Sequence, residues 1–495
     1  CNLSRMKSMR RTLSAATLPL SKLVRFIPSI RSISSSSPPS PLHSILQPLS
    51  GILKPDQIST NTYILDRHGT DESFHTPSPP AAVVMPETEE EVQAVVKLCA
   101  QHEVPIVPFG AGTSLEGHIL SSPSGITLSL EKMDSVTSVS PSDLTCTVEP
   151  GVHRLALNSA LGRDGLFFPV DPGADATIGG MCATNCSGTS AVRYGVMRTN
   201  VLALNVVTPQ GDLIKVGSGA FKNSAGYSLK DLYVGSEGTL GVITSATLRL
   251  QPLPSHISAG VTSFETLEDA CDAVLSILHH AIPVVKLELL DASSIVAFNS
   301  YNKSQNLPPQ PHLFIELSDP TPTGLSSQQN LVTSILSSSS CTSTPSFSED
   351  PAVIKTLWSA RHSCYYASCS LRPESKGLVT DVCVPVSNLS ALISETVKDV
   401  EDSGIVGPCF GHAGDGNFHC ILPLLPDDPP EYVNKVKEVN KRLVERAIAM
   451  NGTCTGEHGV GTGKKEYLET QYGQGTVEVM RAVKKALDPS NIMNP

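Results

Sequence analysis

His412 and His419 stand either side of Ala413-Gly414-Asp415-Gly416-Asn417-Phe418. An Asp-Gly pair between apolar residues is a strong signal for a two-residue hairpin turn, because Gly tolerates the positive φ that such turns need. With Asp415-Gly416 at the tip, Gly414 faces Asn417, Ala413 faces Phe418 and His412 faces His419. Directly opposed residues on antiparallel strands hold their Cβ atoms roughly 5 Å apart on one face. Two imidazoles so placed can grip one metal ion. A further ligand is available in Cys454-Thr455-Gly456-Glu457-His458-Gly459-Val460-Gly461. The plainer alternative is a pair of surface histidines beside a tight turn. The glycines and the second Glu-His loop together favour the metal site.

Glycine supplies a second kind of chemistry. Pro108-Phe109 runs into Gly110-Ala111-Gly112-Thr113-Ser114-Leu115-Glu116-Gly117-His118. Such a loop frees backbone N–H groups to point at an anion and lets the chain approach a pyrophosphate closely, and Thr113 and Ser114 add hydroxyls. It is not G-x-G-x-x-G and no Lys follows, so neither a Rossmann nor a Walker reading fits. Further along, Pro172-Gly173-Ala174-Asp175-Ala176-Thr177-Ile178-Gly179-Gly180 and Asn185-Cys186-Ser187-Gly188 offer small residues over a long span. A large flat cofactor lying against backbone needs that kind of surface.

The elements that must carry these motifs are legible in part. Thr88 with Glu91 reads as a capping box, and Val92, Val95, Val96 and Cys99 then share one helical face. Residues 104–108, 126–130 and 145–149 read as strands, 202–208 and 212–216 as a hairpin, and 244–250 as an alternating strand. Residues 41–76 read as a polar lead-in without chemistry. Beyond Pro252 and Pro254, helix signals (267–279, 389–402) mix with strand signals (312–317, 378–385). Residues 319–350, rich in Ser, Thr and Pro, read as a mobile surface insertion. Tyr432, Val436, Val439, Leu443 and Ala447 line one face of a long helix that Asn451-Gly452 ends.

At 495 residues the chain exceeds the size at which single cores stop growing, so two or more domains are expected. No apolar run approaches the ~20 residues a membrane span needs. Residues 1–55 hold eight Lys and Arg and no Asp or Glu, and removing those charges from the net −11 leaves −19 on the remainder. An acidic body argues against nucleic acid and suits a basic protein partner. The first 40 residues, rich in Arg and Ser and free of acid, have the composition of a mitochondrial or plastid transit peptide. Thirteen scattered Cys form no disulfide-like framework and read as mostly reduced.

Taken together, residues 108–118, 171–195 and 235–243 resemble the FAD domain of the vanillyl-alcohol oxidase-type flavoproteins. His412 to His419, Gly456 to Gly461, Trp358-Ser359-Ala360-Arg361-His362 and Lys376-Gly377-Leu378-Val379-Thr380-Asp381-Val382 resemble that family's metal-dependent D-2-hydroxyacid dehydrogenase branch. The resemblance implies an α+β fold. A two-subdomain FAD-binding domain (77–254) would join an α+β substrate or cap domain with an antiparallel sheet (255–480), and residues 481–495 would return to the FAD domain. It implies FAD held without a covalent bond, by Pro108, Gly110, Ala111, Gly112, Thr113, Ser114, Gly117, His118, Pro172, Gly173, Thr177, Gly179, Gly180, Asn185, Ser187, Gly188, Ile243 and Asn494. It also implies a divalent ion, Zn or Mn, on His412, His419 and Glu457. Arg361 would fork the substrate carboxylate, His458 would accept the hydroxyl proton and Asn417 would orient the substrate.

The expected reaction is oxidation of a small D-2-hydroxy acid in the mitochondrion, with cytochrome c or another electron-transfer protein as acceptor. The family's diacid-handling members place a Lys two residues before the Asp that matches Asp381. Val379 stands there in this chain, which favours a monocarboxylic substrate such as D-lactate over D-2-hydroxyglutarate. Glycolate remains open within the family. Two His and one carboxylate also describe non-haem iron oxygenases, against which the flavin motifs argue.

Overall fold

The computed structural model describes residues 41–120, 122–302, 306–343 and 345–495, so the expected leader falls outside the described residues. Strands Ala82–Val84, Ile126–Ser129 and Ile106–Phe109 run parallel in that order, with Ile58–Ser59 added antiparallel at the edge. Helix Glu89–His102 connects two of them and buries Val92, Val95, Val96 and Cys99. Thr88 caps it by accepting from the Glu91 N–H. The Glu91 carboxylate does not return to Thr88, however. It accepts from the Glu87 N–H and from Gln57 Nε2, each at 2.7 Å, so only half of the capping box forms. Pro41–Leu49, expected as polar lead-in, is a helix that buries Ile45 and Leu49 in this core.

The C-terminus joins the same sheet. Ile106 N–H donates to Ile492 O at 2.7 Å and Asn494 N–H to Ile106 O at 2.8 Å. The expected boundary between residues 480 and 481 falls inside helix Gln474–Leu487. A second sheet, wholly antiparallel, has the order Val136–Ser140, Thr145–Val148, Val242–Arg249, Val201–Val207, Leu213–Gly217. Helix Ile178–Thr184 packs Ile178, Met181 and Cys182 into its core.

The third sheet has eight strands. Cys409–His412 lies between Lys286–Leu290 and Asn417–Leu424, and Lys376–Val379 flanks the latter. Strand alternation sorts its residues. Leu287, Leu289, Cys409, Phe418, Cys420 and Leu422 join a core built with helices Leu267–His279, Leu389–Ser403 and Pro430–Ala449. Glu288, Phe410, His412, His419 and Ile421 fall on the opposite face. The architecture is α+β, with antiparallel pairing dominant.

Three further expectations need correction. Residues 319–350 are not a structureless insertion. Helix Pro322–Ser338 buries Leu325, Val332, Ile335 and Leu336, and Ser346–Ser348 pairs with residues 259–261. Those few apolar residues recur along one helical stripe, which suffices despite the Ser-rich remainder. The expected strand 378–385 is broken into Lys376–Val379 and Val382–Cys383, because the Thr380 hydroxyl takes the Cys420 N–H of the neighbouring strand, the Thr380 carbonyl faces the His419 ring, and the buried Asp381 turns to the 455–458 loop. The hairpin after Cys409–His412 has a four-residue loop, 413–416, not a two-residue turn. His412 pairs with Asn417, Gly411 with Phe418 and Phe410 with His419. Gly416 takes φ +80°, and a Cβ there would meet Val384 O at 2.0 Å.

Candidate active site

The register differs from expectation by two residues, so the side-chain faces are kept. His412 and His419 are diagonal neighbours with ring centroids 5.6 Å apart. Their Nε2 atoms lie 3.2 and 3.3 Å from the same oxygen, Glu457 Oε1. One ligand atom from each of the three residues falls within 4.8 Å of the others. The opposite ring nitrogens are both engaged. His412 Nδ1 meets Glu288 Oε1 at 2.7 Å and His419 Nδ1 meets Thr380 O at 3.1 Å. Ring orientation is thereby fixed with Nε2 toward Glu457, the arrangement by which a carboxylate or carbonyl behind a histidine presents it to a metal. Glu457 Oε2 is buried and has no hydrogen-bond partner in the protein. Burial opposes ionisation of Glu457, but the two imidazoles hold its carboxyl well below the usual range. Two nitrogen donors, one carboxylate and a spare carboxylate oxygen suit a divalent ion such as Zn or Mn.

The Glu457 loop is itself organised by a residue of the 376–382 motif that carries no expected role. Asp381, fully buried, accepts on Oδ2 from the N–H groups of Gly456, Glu457 and His458, each at 2.8 Å, and from Thr455 Oγ1 at 2.7 Å. Helix Pro430–Ala449 delivers the chain to this point through a C-terminal turn in which Asn451, at φ +61°, is left-handed. Gly452 N–H there bonds Ala447 O and Asn451 N–H bonds Ile448 O, a Schellman arrangement. Asn417 belongs to this scaffold. Its Nδ2 donates to Asp381 Oδ1 and to Val382 O, both at 2.9 Å, which places the residue expected to help orient the substrate behind the Glu457 loop rather than on the cavity wall. Its amide packs so closely on Gly456 that a Cβ there would fall 2.1 Å from Nδ2.

His458 stacks on His419 at 4.9 Å between centroids and 12° between planes. Burial pushes its imidazole down to about 4, against the pull of Asp381. It therefore stands neutral near pH 7 and can accept a proton. Arg361, at the end of helix Pro351–His362, is buried over the Phe410 ring. Its Nε and Nη2 donate to Glu288 Oε2 at 2.8 and 2.6 Å. One wholly buried carboxylate thus holds both His412 and Arg361, which leaves Arg361 at most three further N–H donors. Glu288 was not anticipated. Its only signal was an acid within the apolar run Val284-Val285-Lys286-Leu287-Glu288-Leu289-Leu290.

Arg361, His412, His419, Glu457 and His458 share one cavity with the backbone of residues 110–114 and with His118, Pro172, Gly173, Thr177 and Gly180. A smaller neighbouring cavity shares Gly110, Thr177 and Gly180 and adds Pro108, Gly179 and Ile243. Thr177 Oγ1, common to both, is buried and unpartnered in the protein. A Cβ on Gly110 would strike it at 2.2 Å, whereas one on Gly173 would meet nothing within 4 Å. This open, backbone-lined cradle with an orphan hydroxyl fits a flat cofactor with an anionic end. The remaining expected cofactor residues line neither cavity. Gly117, at φ +73°, gives its N–H to Asp71; Asn185, left-handed, caps helix Ile178–Thr184; Ser187 is buried beside Cys186. Gly188 abuts Asp171, and Asn494 Nδ2 donates to His118 O and Glu237 O. These five shape the walls from behind. Asp71, from the segment expected to lack chemistry, also accepts from Ser114 Oγ at 3.0 Å.

A family model described as "FAD binding domain" matches residues 80–217, and one described as "FAD linked oxidases, C-terminal domain" matches residues 253–495. The chain is 45% identical over 441 residues to "Probable D-lactate dehydrogenase, mitochondrial" of Danio rerio, covering 88% of each protein. It is 43% identical over 424 residues to "D-lactate dehydrogenase [cytochrome], mitochondrial" of Arabidopsis thaliana, covering 86% of this chain and 74% of that one. Among solved structures, 4-ethylphenol oxidase from Gulosibacter chungangensis matches with a TM-score of 0.75 at 15% identity over 93% of this chain and 97% of the other, a likeness of fold.

Proposed function

The chain belongs to the FAD-linked oxidase family that includes mitochondrial D-lactate dehydrogenases, and on that premise we propose that it oxidises D-lactate, or a similar small D-2-hydroxy acid, to the 2-oxo acid. The observation that carries this reading is the meeting of the His412–His419–Glu457 cluster, His458 and Arg361 on one cavity wall that continues onto the glycine-rich cradle. On this reading residues 77–254 and the segment after helix Gln474–Leu487 bind FAD, and the residues between them carry the metal and the substrate.

When bound, FAD supplies the hydride acceptor and a divalent ion supplies a Lewis acid that acidifies the substrate hydroxyl. The chain's own groups do the rest. Arg361 binds the substrate carboxylate with the donors that Glu288 leaves it. Neutral His458 takes the hydroxyl proton on Nε2, the nitrogen turned toward Glu457 at 3.9 Å. Glu288 and Thr380 hold His412 and His419 in place through their Nδ1 atoms. Among the described residues lining the cavity, Arg361 is the sole Lys or Arg, while Val379, Phe410 and Ile421 are apolar. One clamp for one carboxylate supports a monocarboxylic substrate, since a second buried carboxylate without a partner is costly.

The Arabidopsis relative's name carries a cytochrome acceptor, and the acidic body supports a basic electron-transfer protein such as cytochrome c for this chain too. Mitochondrial residence follows the relatives' names and the acid-free leader. No helix among the described residues is long and apolar enough to cross a membrane. The test is anaerobic flavin reduction by D-lactate, L-lactate and D-2-hydroxyglutarate at matched concentrations. D-lactate should reduce the flavin and the other two should lag by roughly 10²-fold or more. Faster reduction by the diacid would overturn the substrate reading.

A further inference from the structure

His458 has a second side. While Nε2 faces Glu457, Nδ1 lies 4.0 Å from Glu116 Oε1 and 3.9 Å from Asp381 Oδ2. Asp381 Oδ2 already accepts four hydrogen bonds. Glu116 is different. It is 3% exposed, its Oε1 has no hydrogen-bond partner in the protein, and Nζ of the equally buried Lys464 stands 3.5 Å from that oxygen, also unpartnered. His458 Nδ1 and His75 Nε2 are buried and unpartnered in the same way. Such separations close to a direct bond with a small rotation, or hold a bridging water.

Gly463 marks where the line continues. A Cβ built on it would fall 2.6 Å from Glu116 Oε2 and 3.1 Å from His75 Nε2, so the space that a side chain would fill is flanked by both atoms. The loop is pinned there, because Glu116 O accepts from Thr462 N–H at 2.8 Å and from Gly463 N–H at 3.3 Å. His75 is half-buried and carries the line to the surface. Neither Glu116, Lys464 nor His75 is used by the chemistry assigned above, yet Glu116 lies between His458 Nδ1 on one side and, across Gly463, His75 Nε2 on the other.

We propose that Glu116 and His75, across the gap left by Gly463, form the path by which the substrate's hydroxyl proton leaves His458 for solvent. The proposal rests on the reading of His458 as the base. Each turnover puts one proton on His458 Nε2 inside a buried site. The Nδ1 proton then passes to Glu116 Oε1 as a proton leaves from Oε2, across the Gly463 gap, to His75 Nε2 and on to water. No electrons move in these steps: His458 is left neutral with its proton on Nε2 and Glu116 with its proton on Oε1, and a flip of the imidazole ring and a rotation of the carboxyl return both to the starting tautomer before the next turnover. Burial holds the Glu116 carboxyl up at about 8, with Lys464 opposing and Asp381 and Glu237 reinforcing the rise, so Glu116 exchanges a proton readily near neutral pH. Glu116 and His75 are positioning and relay groups, since neither touches the substrate.

The test compares Gly463→Ala and Glu116→Gln with the native protein, each loaded with FAD and metal. Two rates are read: single-turnover flavin reduction by D-lactate, and steady-state kcat. The first needs one neutral His458 only and should stay within about twofold of native. The second should fall by roughly 10-fold or more, with a larger solvent isotope effect on kcat and partial rescue by added imidazole. Should Glu116→Gln fail to fold or to hold FAD, His75→Gln tests the outer end by the same two rates. Native kcat in any folded variant of the three overturns the proposal. So does a loss of flavin reduction as large as the loss of kcat without rescue, which would mark a structural role. Failure of D-lactate to reduce the native flavin would instead remove the parent reading.

Discussion

Replacing Glu288 by Gln probes the least expected part of the site. The native carboxylate takes His412 on Oε1 at 2.7 Å and Arg361 on Oε2 at 2.8 and 2.6 Å, with no exposure to solvent. Gln keeps the shape but offers one acceptor and one donor group, so either His412 or Arg361 must face an NH₂. Arg361 is itself 6% exposed and loses its buried counter-charge. Removing one partner of a buried pair costs about 3–5 kcal/mol of stability, and an isosteric amide that retains one bond should sit near or below the lower end. The effect on the metal is separable. Loss of the group behind a ligating histidine typically costs 10–100-fold in metal affinity, about 1.4–2.7 kcal/mol. Competition against a chromophoric chelator gives the metal Kd, and thermal unfolding with and without metal gives the stability. Glu288→Gln should weaken metal binding by that range and lower Tm. Metal affinity within about twofold of native, in a protein that still folds, would refute the idea that Glu288 presents His412 to the ion.

The remaining predictions address other parts of the site. Chelation with EDTA should abolish turnover and leave the flavin absorbance in place, because the cradle and the His412–His419–Glu457 cluster use different residues, and His412→Ala should reproduce the chelated state. Full activity in metal-free protein would exclude the metal role. His458→Ala should slow flavin reduction by roughly 10²–10⁴-fold, with metal content measured in the same sample because Glu457 is adjacent; a near-native rate with metal retained removes His458 as base. Burial raises the folded-state carboxyl of Glu116 to about 8, above its unfolded value. Its contribution to stability is therefore fully present below the unfolded pKa and is lost as pH rises through 8. The native Tm should accordingly fall more steeply between pH 5 and 9, roughly, than that of Glu116→Gln, and equal slopes would contradict the raised carboxyl.

Much of this site can be read in the chain because its parts are local. The glycine loops, the His412–His419 spacing, the Glu457-His458 pair and helix Glu89–His102 are each set by neighbours within a dozen residues, through turn chemistry, capping and helical period. The face on which the histidines lie was legible too, since strand alternation decides it. The register was not. A shift of two residues leaves every side chain on its original face, so the apolar pattern is blind to it. Only packing of the 413–416 loop, with Gly416 pressed against Val384 O, selects His412 opposite Asn417. The Ser-rich helix Pro322–Ser338 was hidden for a related reason: a narrow apolar stripe means little until a sheet exists for it to cover. The acids behind the site, Asp71, Glu116, Glu288 and Asp381, lie far along the chain from the groups they hold. Each reads locally as one more polar residue in a strand or loop. Tertiary structure alone removes them from water; burial makes Asp71, Glu288 and Asp381 find partners among a serine hydroxyl, a histidine, the arginine and backbone N–H groups, and leaves Glu116 Oε1 without a hydrogen-bond partner.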